Sequence, residues 1–145
     1  MYKHVLLPID GSSLSELAVS NGLQFAKAIG ARVTAFYAAP ERQPESLEHC
    51  WVDVQMPTLE DVGAAEAQQY LAAIASKAKD AGVPCETLSL EHASPHQAII
   101  HAAQVRGCDL IIMASHGRKG ITGDLVGSET ARVITNCKIP VLVYR

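Results

Sequence analysis

The sequence lacks the features of several specialised classes of protein. Its longest uninterrupted apolar runs are about five residues, such as 110–114, whereas a membrane-spanning helix needs about 20. The 145 residues carry 12 basic and 15 acidic side chains, for a net charge of −3, so no overall positive field attracts nucleic acid. We therefore expect neither a membrane span nor a nucleic-acid partner.

Closely spaced cysteines are absent as well. The four cysteines lie far apart, at positions 50, 85, 108 and 137, and form no Cys-x-x-Cys motif. We expect reduced, buried thiols, because a domain of this size does not need disulfides. The six histidines lack the His-Glu-x-x-His spacing of zinc enzymes, and residues 1–5 do not resemble a signal peptide. These features predict a cytoplasmic protein.

What the sequence does contain is a repeated alternation of apolar and amphipathic runs. Apolar runs typical of buried strands occur at 5–9, 33–38, 85–90, 110–113 and 141–144. Amphipathic runs typical of helices occur at 13–29, 60–81, 95–106 and 128–136. Three of the helices end at a glycine, and a strand begins within about three residues. The pattern predicts one α/β domain over residues 1–145, with a parallel sheet and helices on both of its faces.

Local signals refine the first helix, and one segment shows no periodicity. Ser13 and Glu16 have the spacing of a capping box at the start of that helix. The spacing also predicts an apolar face that consists of Leu14, Leu17, Ala18, Phe25 and Ile29. The segment 39–59 is long and irregular, so we expect either a functional flap or a mobile loop there.

Proline positions indicate the order of the strands. Proline has no N–H for a sheet ladder and therefore favours strand starts and edges. Pro84 and Pro140 each precede a strand, which favours an open, twisted, Rossmann-like five-stranded sheet in the order 3-2-1-4-5, with the third and fifth strands at its edges. Pro8 is the exception, because it lies inside the central first strand. A residue that breaks a local rule in this way often marks a functional site.

In this strand order, a crevice is expected between the carboxyl ends of the first and fourth strands. Two segments meet there, 8–13 and 114–128. The second contains four glycines between 117 and 127 and ends at the start of a helix. Glycines let backbone N–H groups approach an anion, and the first turn of a helix presents unpaired N–H groups to it. Residues 115–145 also carry five basic and two acidic side chains, so the region favours a phosphate.

The motifs at this crevice resemble those of the universal stress protein superfamily, of the UspA type, over essentially the whole chain. The resemblance rests on Val5-Leu6-Leu7-Pro8-Ile9-Asp10-Gly11-Ser12, on residues 109–118, and on Gly127-Ser128 followed by 139–143. The ATP-binding branch of that family has the pattern Gly, two residues, Gly, nine residues, then Gly-Ser or Gly-Thr. This chain matches from Gly117 onward, whereas Ala114 stands at the first glycine of the pattern.

The resemblance implies that the protein binds ATP, with Mg²⁺, and acts as a regulatory module in the stress response. It assigns Asp10 and the backbone near Ala114 to the ribose or to a metal-linked phosphate. Its phosphate-binding positions are Gly117, Gly127, Ser128 and the N–H of Glu129, and Arg118 is a further candidate partner of phosphate oxygens. The positions that it implies around the adenine are Pro8, Ala38 and Met113.

The resemblance also implies a homodimer through the fifth strand, at Val141, Leu142 and Val143, where an apolar edge strand would otherwise remain unpaired. No catalytic base with a nucleophile partner is evident in the sequence, so any activity is at most a slow ATPase or autophosphorylation. Two alternatives remain open at this point. One is a nucleotide-free interaction module of the same fold, and the other is an ATP-using enzyme of the adenylating type.

Overall fold

The computed structural model describes residues 1–39, 59–116 and 126–145, with the backbone alone for 59–63. Its elements follow the order β1 (His4–Ile9), α1 (Ser13–Ile29), β2 (Arg32–Ala39), α2 (Leu59–Ala81), β3 (Cys85–Glu91), α3 (Pro95–Arg106), β4 (Leu110–Ala114), α4 (Ser128–Asn136) and β5 (Val141–Tyr144). None of the helices within these ranges is long and apolar enough to cross a membrane.

The five strands form one parallel sheet in the order β3-β2-β1-β4-β5. The predicted fold class and strand order are therefore confirmed. The order changes direction between β1 and β4, because β2 and β3 lie on one side of β1 and the later strands lie on the other. The carboxyl ends of β1 and β4 consequently meet at the point where α/β sheets bind their ligands.

Alternating side chains of the central strands build a separate core on each face of the sheet. On one face, Val5 and Leu7 of β1 pack with the buried sides of α1 and α2. On the other face, Leu6 of β1 and Phe36 of β2 pack with α3 and with Val133 of α4. β1 is buried along its whole length, as expected for a central strand covered by helices on both sides.

The start of α1 differs from the sequence-based expectation. Ser12, not Ser13, is the N-cap, and its side chain accepts a hydrogen bond from the N–H of Ser15. The capping-box prediction is therefore wrong by one residue, since Glu16 then lies beyond the third helical position. Leu17 and Ile29 are 50% and 40% exposed, because the helix turns a face rich in small residues toward the sheet. The residues buried on that face are Ser15, Ala18, Val19, Gly22, Leu23 and Ala26.

The predicted glycine ends of the helices are confirmed. Gly30, Gly82 and Gly107 have φ values of 69°, 73° and 66°. This left-handed conformation strains residues that have a Cβ atom, and at helix ends it lets the N–H bond back to the last turn. Each glycine ends its helix, and the next parallel strand begins within three residues of it.

Pro8 interrupts the hydrogen bonding between β1 and β4. The carbonyl of Lys3 accepts a hydrogen bond from Arg32 of β2, whereas the carbonyl of His4 accepts one from Asp109, which precedes β4. By alternation, the nitrogen of Pro8 faces β4, and it carries no hydrogen to donate. The paired register of β1 with β4 accordingly ends at Leu6 and Ile111, whereas the register of β1 with β2 continues to Ile9.

A buried polar cluster lies at the opposite, amino-terminal end of the sheet. The hydroxyl of Thr34 donates to Oε1 of Glu86 at 2.7 Å, so its oxygen must accept the hydrogen bond from Nε2 of His4, also at 2.7 Å. This arrangement places the proton of His4 on Nε2. Its Nδ1 is buried and has no hydrogen-bond partner among the described residues. Burial of the ring lowers the pKa of His4.

The described cysteines, Cys85, Cys108 and Cys137, are free thiols as expected, but only Cys108 is buried, and the expected burial is wrong for the other two. Burial raises the pKa of Cys108 to about 11, which leaves that sulfur protonated and unreactive at neutral pH. Cys50 lies outside the described residues, as does most of the irregular segment 39–59.

Candidate functional site

The carboxyl end of β1 leads into a tight turn built around Asp10. Oδ1 of Asp10 accepts a hydrogen bond from the N–H of Ser12 at 2.9 Å, which is an Asx-turn. Gly11 between them has a φ of 78°, a value that favours glycine. Ser12 then caps α1. The turn therefore fixes a half-buried carboxylate at the edge of the sheet, beside the end of β4.

Two hydrogen bonds fix the first turn of α4 against the end of β4. The N–H of Gly127 donates to the carbonyl of Ser115 at 2.7 Å. The buried hydroxyl of Thr130 donates to the carbonyl of Ala114 at 2.9 Å. A Cβ atom on Gly127 would lie 2.7 Å from the Ser115 oxygen, which is closer than van der Waals contact allows. Glycine is therefore the residue that lets the helix start this close to the strand.

The opening of α4 presents backbone donors. The N–H groups of Ser128, Glu129 and Thr130 have no partner within the helix, as is usual for a first turn, and the described residues supply none elsewhere. The N–H of Gly127 differs, because it is already bonded to Ser115. The contribution of Gly127 to the site is therefore its missing side chain, and three amides rather than four remain to meet an anion.

The residues expected around an adenine lie on one face of the sheet. Met113 is buried in the core beneath α3 and α4, and Ala38 packs against that core. Pro8 is buried and follows Leu6 by two positions in β1, so it shares that face. Ala114 is also buried and contacts α4 through its carbonyl. The fold thus brings these four residues to the carboxyl ends of three neighbouring strands.

Two predicted site residues, Gly117 and Arg118, lie outside the described residues. Within the described part of the chain, no group of three or more His, Cys, Asp or Glu side chains is arranged to hold a metal ion. Among the described residues, Asp10 provides a carboxylate at the carboxyl end of β1, where the crevice is expected. A cation at this position would therefore take its other ligands from phosphate oxygens and water, as Mg²⁺ does in most nucleotide sites.

Comparison with known proteins identifies the family. The model of the universal stress protein family matches residues 1–145, the full length of the chain. The chain belongs to the universal stress protein family. Its sequence is 31% identical to universal stress protein MJ0531 of Methanocaldococcus jannaschii, over all of this chain and 83% of the relative. A universal stress protein of Mycolicibacterium smegmatis is 32% identical, but this chain spans only 45% of its length.

Solved structures of the family share this fold. The structure of MJ0577, a universal stress protein from the same archaeon, aligns with a TM-score of 0.81 and 30% identity, over 99% of this chain and 95% of the other. A universal stress protein in complex with cAMP aligns with a TM-score of 0.75 and 27% identity, over 99% of this chain and 97% of the other. A nucleotide therefore occupies one close structural neighbour of this universal stress protein.

The structure adds site residues of this universal stress protein that the sequence analysis missed. Ser115 is buried, and its hydroxyl lies 2.9 Å from Nδ1 of His116. Thr130 and the side chain of Glu129 hold α4 in place, the first against β4 and the second against α3. A local signal existed only for Glu129 and Thr130, since glutamate and threonine are common in the first turn of a helix. Their partners come from other elements and could not be read from local spacing.

Proposed function

We propose that this universal stress protein binds ATP with Mg²⁺ between the carboxyl ends of β1 and β4, as a cytoplasmic regulatory module in the stress response. The observation that carries the proposal is the start of α4, where three N–H groups without described partners lie at the carboxyl end of β4. The neighbouring strand β1 leads into Asp10. Membership of the family and the cAMP complex of a structural neighbour support a nucleotide as the ligand.

The phosphates fit the start of α4. The N–H groups of Ser128, Glu129 and Thr130 lie at the positive end of the helix dipole, where anions are stabilised. Because Gly127 has no side chain, it does not obstruct a phosphate that approaches these N–H groups. Gly117 and Arg118, which the family pattern assigns to the phosphates, belong to the glycine-rich segment that connects β4 to this helix.

Adenine and ribose take the remaining positions of the crevice in this proposal. Pro8, Ala38 and Met113 share one face of the sheet and offer the apolar surface that a purine ring needs. The missing N–H of Pro8 leaves the upper part of β1 without a hydrogen-bonded register to β4. The ribose would then lie near Asp10 and the backbone at Ala114, where β1 and β4 end.

Mg²⁺ would bridge Asp10 and the phosphates. The Asx-turn uses Oδ1 of Asp10, and a carboxylate oxygen can both accept a hydrogen bond and bind a hard cation. When bound, the cation supplies charge neutralisation for the triphosphate. The residues of this chain do the rest, because the turn orients the carboxylate and the first turn of α4 orients the phosphates.

We also propose a homodimer through β5. The carbonyls of Pro140 and Tyr144 accept hydrogen bonds from β4, so by alternation the backbone groups of Val141 and Val143 face away from the sheet. Leu142 is 40% exposed. Pairing with the same strand of a second copy about a two-fold axis would satisfy this edge and cover its apolar side chains.

Calorimetry tests the nucleotide site. We expect saturable heat with Mg-ATP, and we expect Asp10→Asn to weaken Mg-ATP binding about tenfold, or about 1.4 kcal/mol, while leaving ATP binding in EDTA unchanged. The asparagine oxygen can still accept the Ser12 N–H, so the turn survives. Asp80→Asn, at an exposed position of α2, is the matched control. Absence of heat at near-millimolar nucleotide would favour a nucleotide-free interaction module instead.

A further inference from the structure

We propose that contacts with the start of α3 hold the Glu129 carboxylate away from the phosphates of this site and so preserve its affinity for an anion. The inference rests on the proposed function, since it concerns the same helix opening. Glu129 is the second residue of α4. A carboxylate at that position normally turns toward the N–H groups of its own helix, where it would repel a triphosphate.

In this chain the carboxylate is held elsewhere by three contacts. Oε2 of Glu129 accepts hydrogen bonds from the backbone N–H of His96 at 2.9 Å and from its Nδ1 at 3.1 Å. Oε1 accepts one from Arg132 at 2.9 Å. The side chain of Ser94, the N-cap of α3, makes no capping hydrogen bond to a backbone N–H of that helix. Glu129 therefore supplies the cap that α3 lacks, and its charge lies at the positive end of α3.

The cluster of Ser94, His96 and Glu129 holds the His96 ring and the Glu129 carboxylate in place, and it does not activate a nucleophile. The hydroxyl of Ser94 lies 2.9 Å from Nδ1 of His96, and Glu129 contacts the same nitrogen. In a serine hydrolase triad, the serine and the carboxylate use opposite nitrogens of the ring, so that a proton can pass through it. A single nitrogen shared by two oxygen acceptors fixes the tautomer with its proton on Nδ1 and holds the ring still.

The consequence is a separation of charges between two helices that start side by side. The positive end of α3 receives a carboxylate from the protein, and the positive end of α4 is left for a ligand. Arg132 balances the same carboxylate from within α4. A carboxylate released from this arrangement would remain within the first turn of α4 and would lower the affinity for any phosphate bound there.

Three substitutions of Glu129 separate its charge from its role in packing. Glu129→Gln removes the charge and keeps an acceptor for His96. Glu129→Ala removes both. Glu129→Asp keeps the charge but is one methylene too short to maintain its contacts with α3. We expect Mg-ATP affinity at low salt to be unchanged or higher in the Gln variant, within about threefold of wild type in the Ala variant, and roughly tenfold lower in the Asp variant.

Salt provides the second readout. The loss in the Asp variant should shrink as ionic strength rises, because added ions screen the released charge. Equal losses in the Ala and Asp variants, independent of salt, would overturn the proposal and leave Glu129 with a packing role alone. Equal affinity in all four proteins would overturn it as well. Failure of the wild-type protein to bind Mg-ATP would instead reject the proposed function, so the two failures are distinguishable.

Discussion

At the scale of single residues, the polar groups at the two ends of the sheet behave differently. The carboxylates at the carboxyl end, Asp10 and Glu129, are placed by turns and helix starts that leave them near the surface. His4 at the amino end is 3% exposed, and its hydrogen bond to Thr34 places a proton on Nε2. The proposed nucleotide site therefore lies at one end of the sheet, and an effect on stability is expected at the other.

His4 should make the protein sensitive to mild acid. Burial first, and then the charge of Arg32, lower its pKa, and together they outweigh the opposing effects of Glu86, the Arg106 backbone and Asp109. The unfolded chain binds a proton at His4 as the pH falls below about 6.5, whereas the native state binds it only at lower pH, so the free energy of unfolding decreases. We expect denaturant midpoints to fall between pH 7.5 and 5.5 in wild type, and less steeply in His4→Gln. The exposed His101→Gln is the control that should retain the wild-type slope.

At the scale of elements, α4 is the helix whose exact position matters most. Its nine residues are too few to be stable alone in water, so contacts with β4 and α3 determine where its first turn lies. Sequence signals located its ends, because Gly127 and Ser128 mark its start. They did not reveal that the Gly127 N–H is consumed by Ser115, since that contact depends on how closely two elements approach.

Thr130→Val should weaken both stability and nucleotide binding. The substitution preserves shape and removes the buried hydrogen bond to Ala114, which we expect to cost about 1 to 2 kcal/mol. Mg-ATP affinity should fall with it, because the first turn loses one of its two contacts with β4. Thr135→Val is the matched control on the same helix, where the exposed hydroxyl bonds only to Ala131. Urea unfolding measures the effect on stability, and calorimetry measures the effect on nucleotide affinity. A Thr130→Val protein as stable as wild type would contradict the role assigned to the hydrogen bond with Ala114.

At the scale of the whole molecule, the fold was the most predictable property. Periodicity and three glycine helix ends predicted the parallel α/β sheet, and two strand-opening prolines favoured its strand order, because these signals are local and agree with one another. The faces of α1 were predicted less well. Leu17 and Ile29 lie toward solvent because small residues, such as Ala18 and Gly22, let the helix approach the sheet. That preference for close packing is a tertiary effect, which a pattern of apolar residues does not encode.

Assembly is also a property of this scale. Sedimentation should give a mass of about twice 15.5 kDa. Val143→Pro should shift it to the monomer, because proline removes an N–H that faces outward from β5 while leaving the bonds to β4 intact. Thr87→Pro is the matched control, since its N–H faces outward from β3 at the opposite edge by the same alternation. If Thr87→Pro dissociates the dimer and Val143→Pro does not, the interface lies at the other edge.

The proline in β1 has a mechanical consequence. With their hydrogen-bonded register ending at Leu6 and Ile111, β1 and β4 meet along a seam that has its fewest ladder hydrogen bonds at the carboxyl end of the sheet. It separates a half containing β1, β2 and β3 from a half containing β4 and β5. A molecule bound across the crevice would contact both halves and hold them together only while it is bound. Amide hydrogens along the seam should then exchange more slowly in the bound protein than in the free protein.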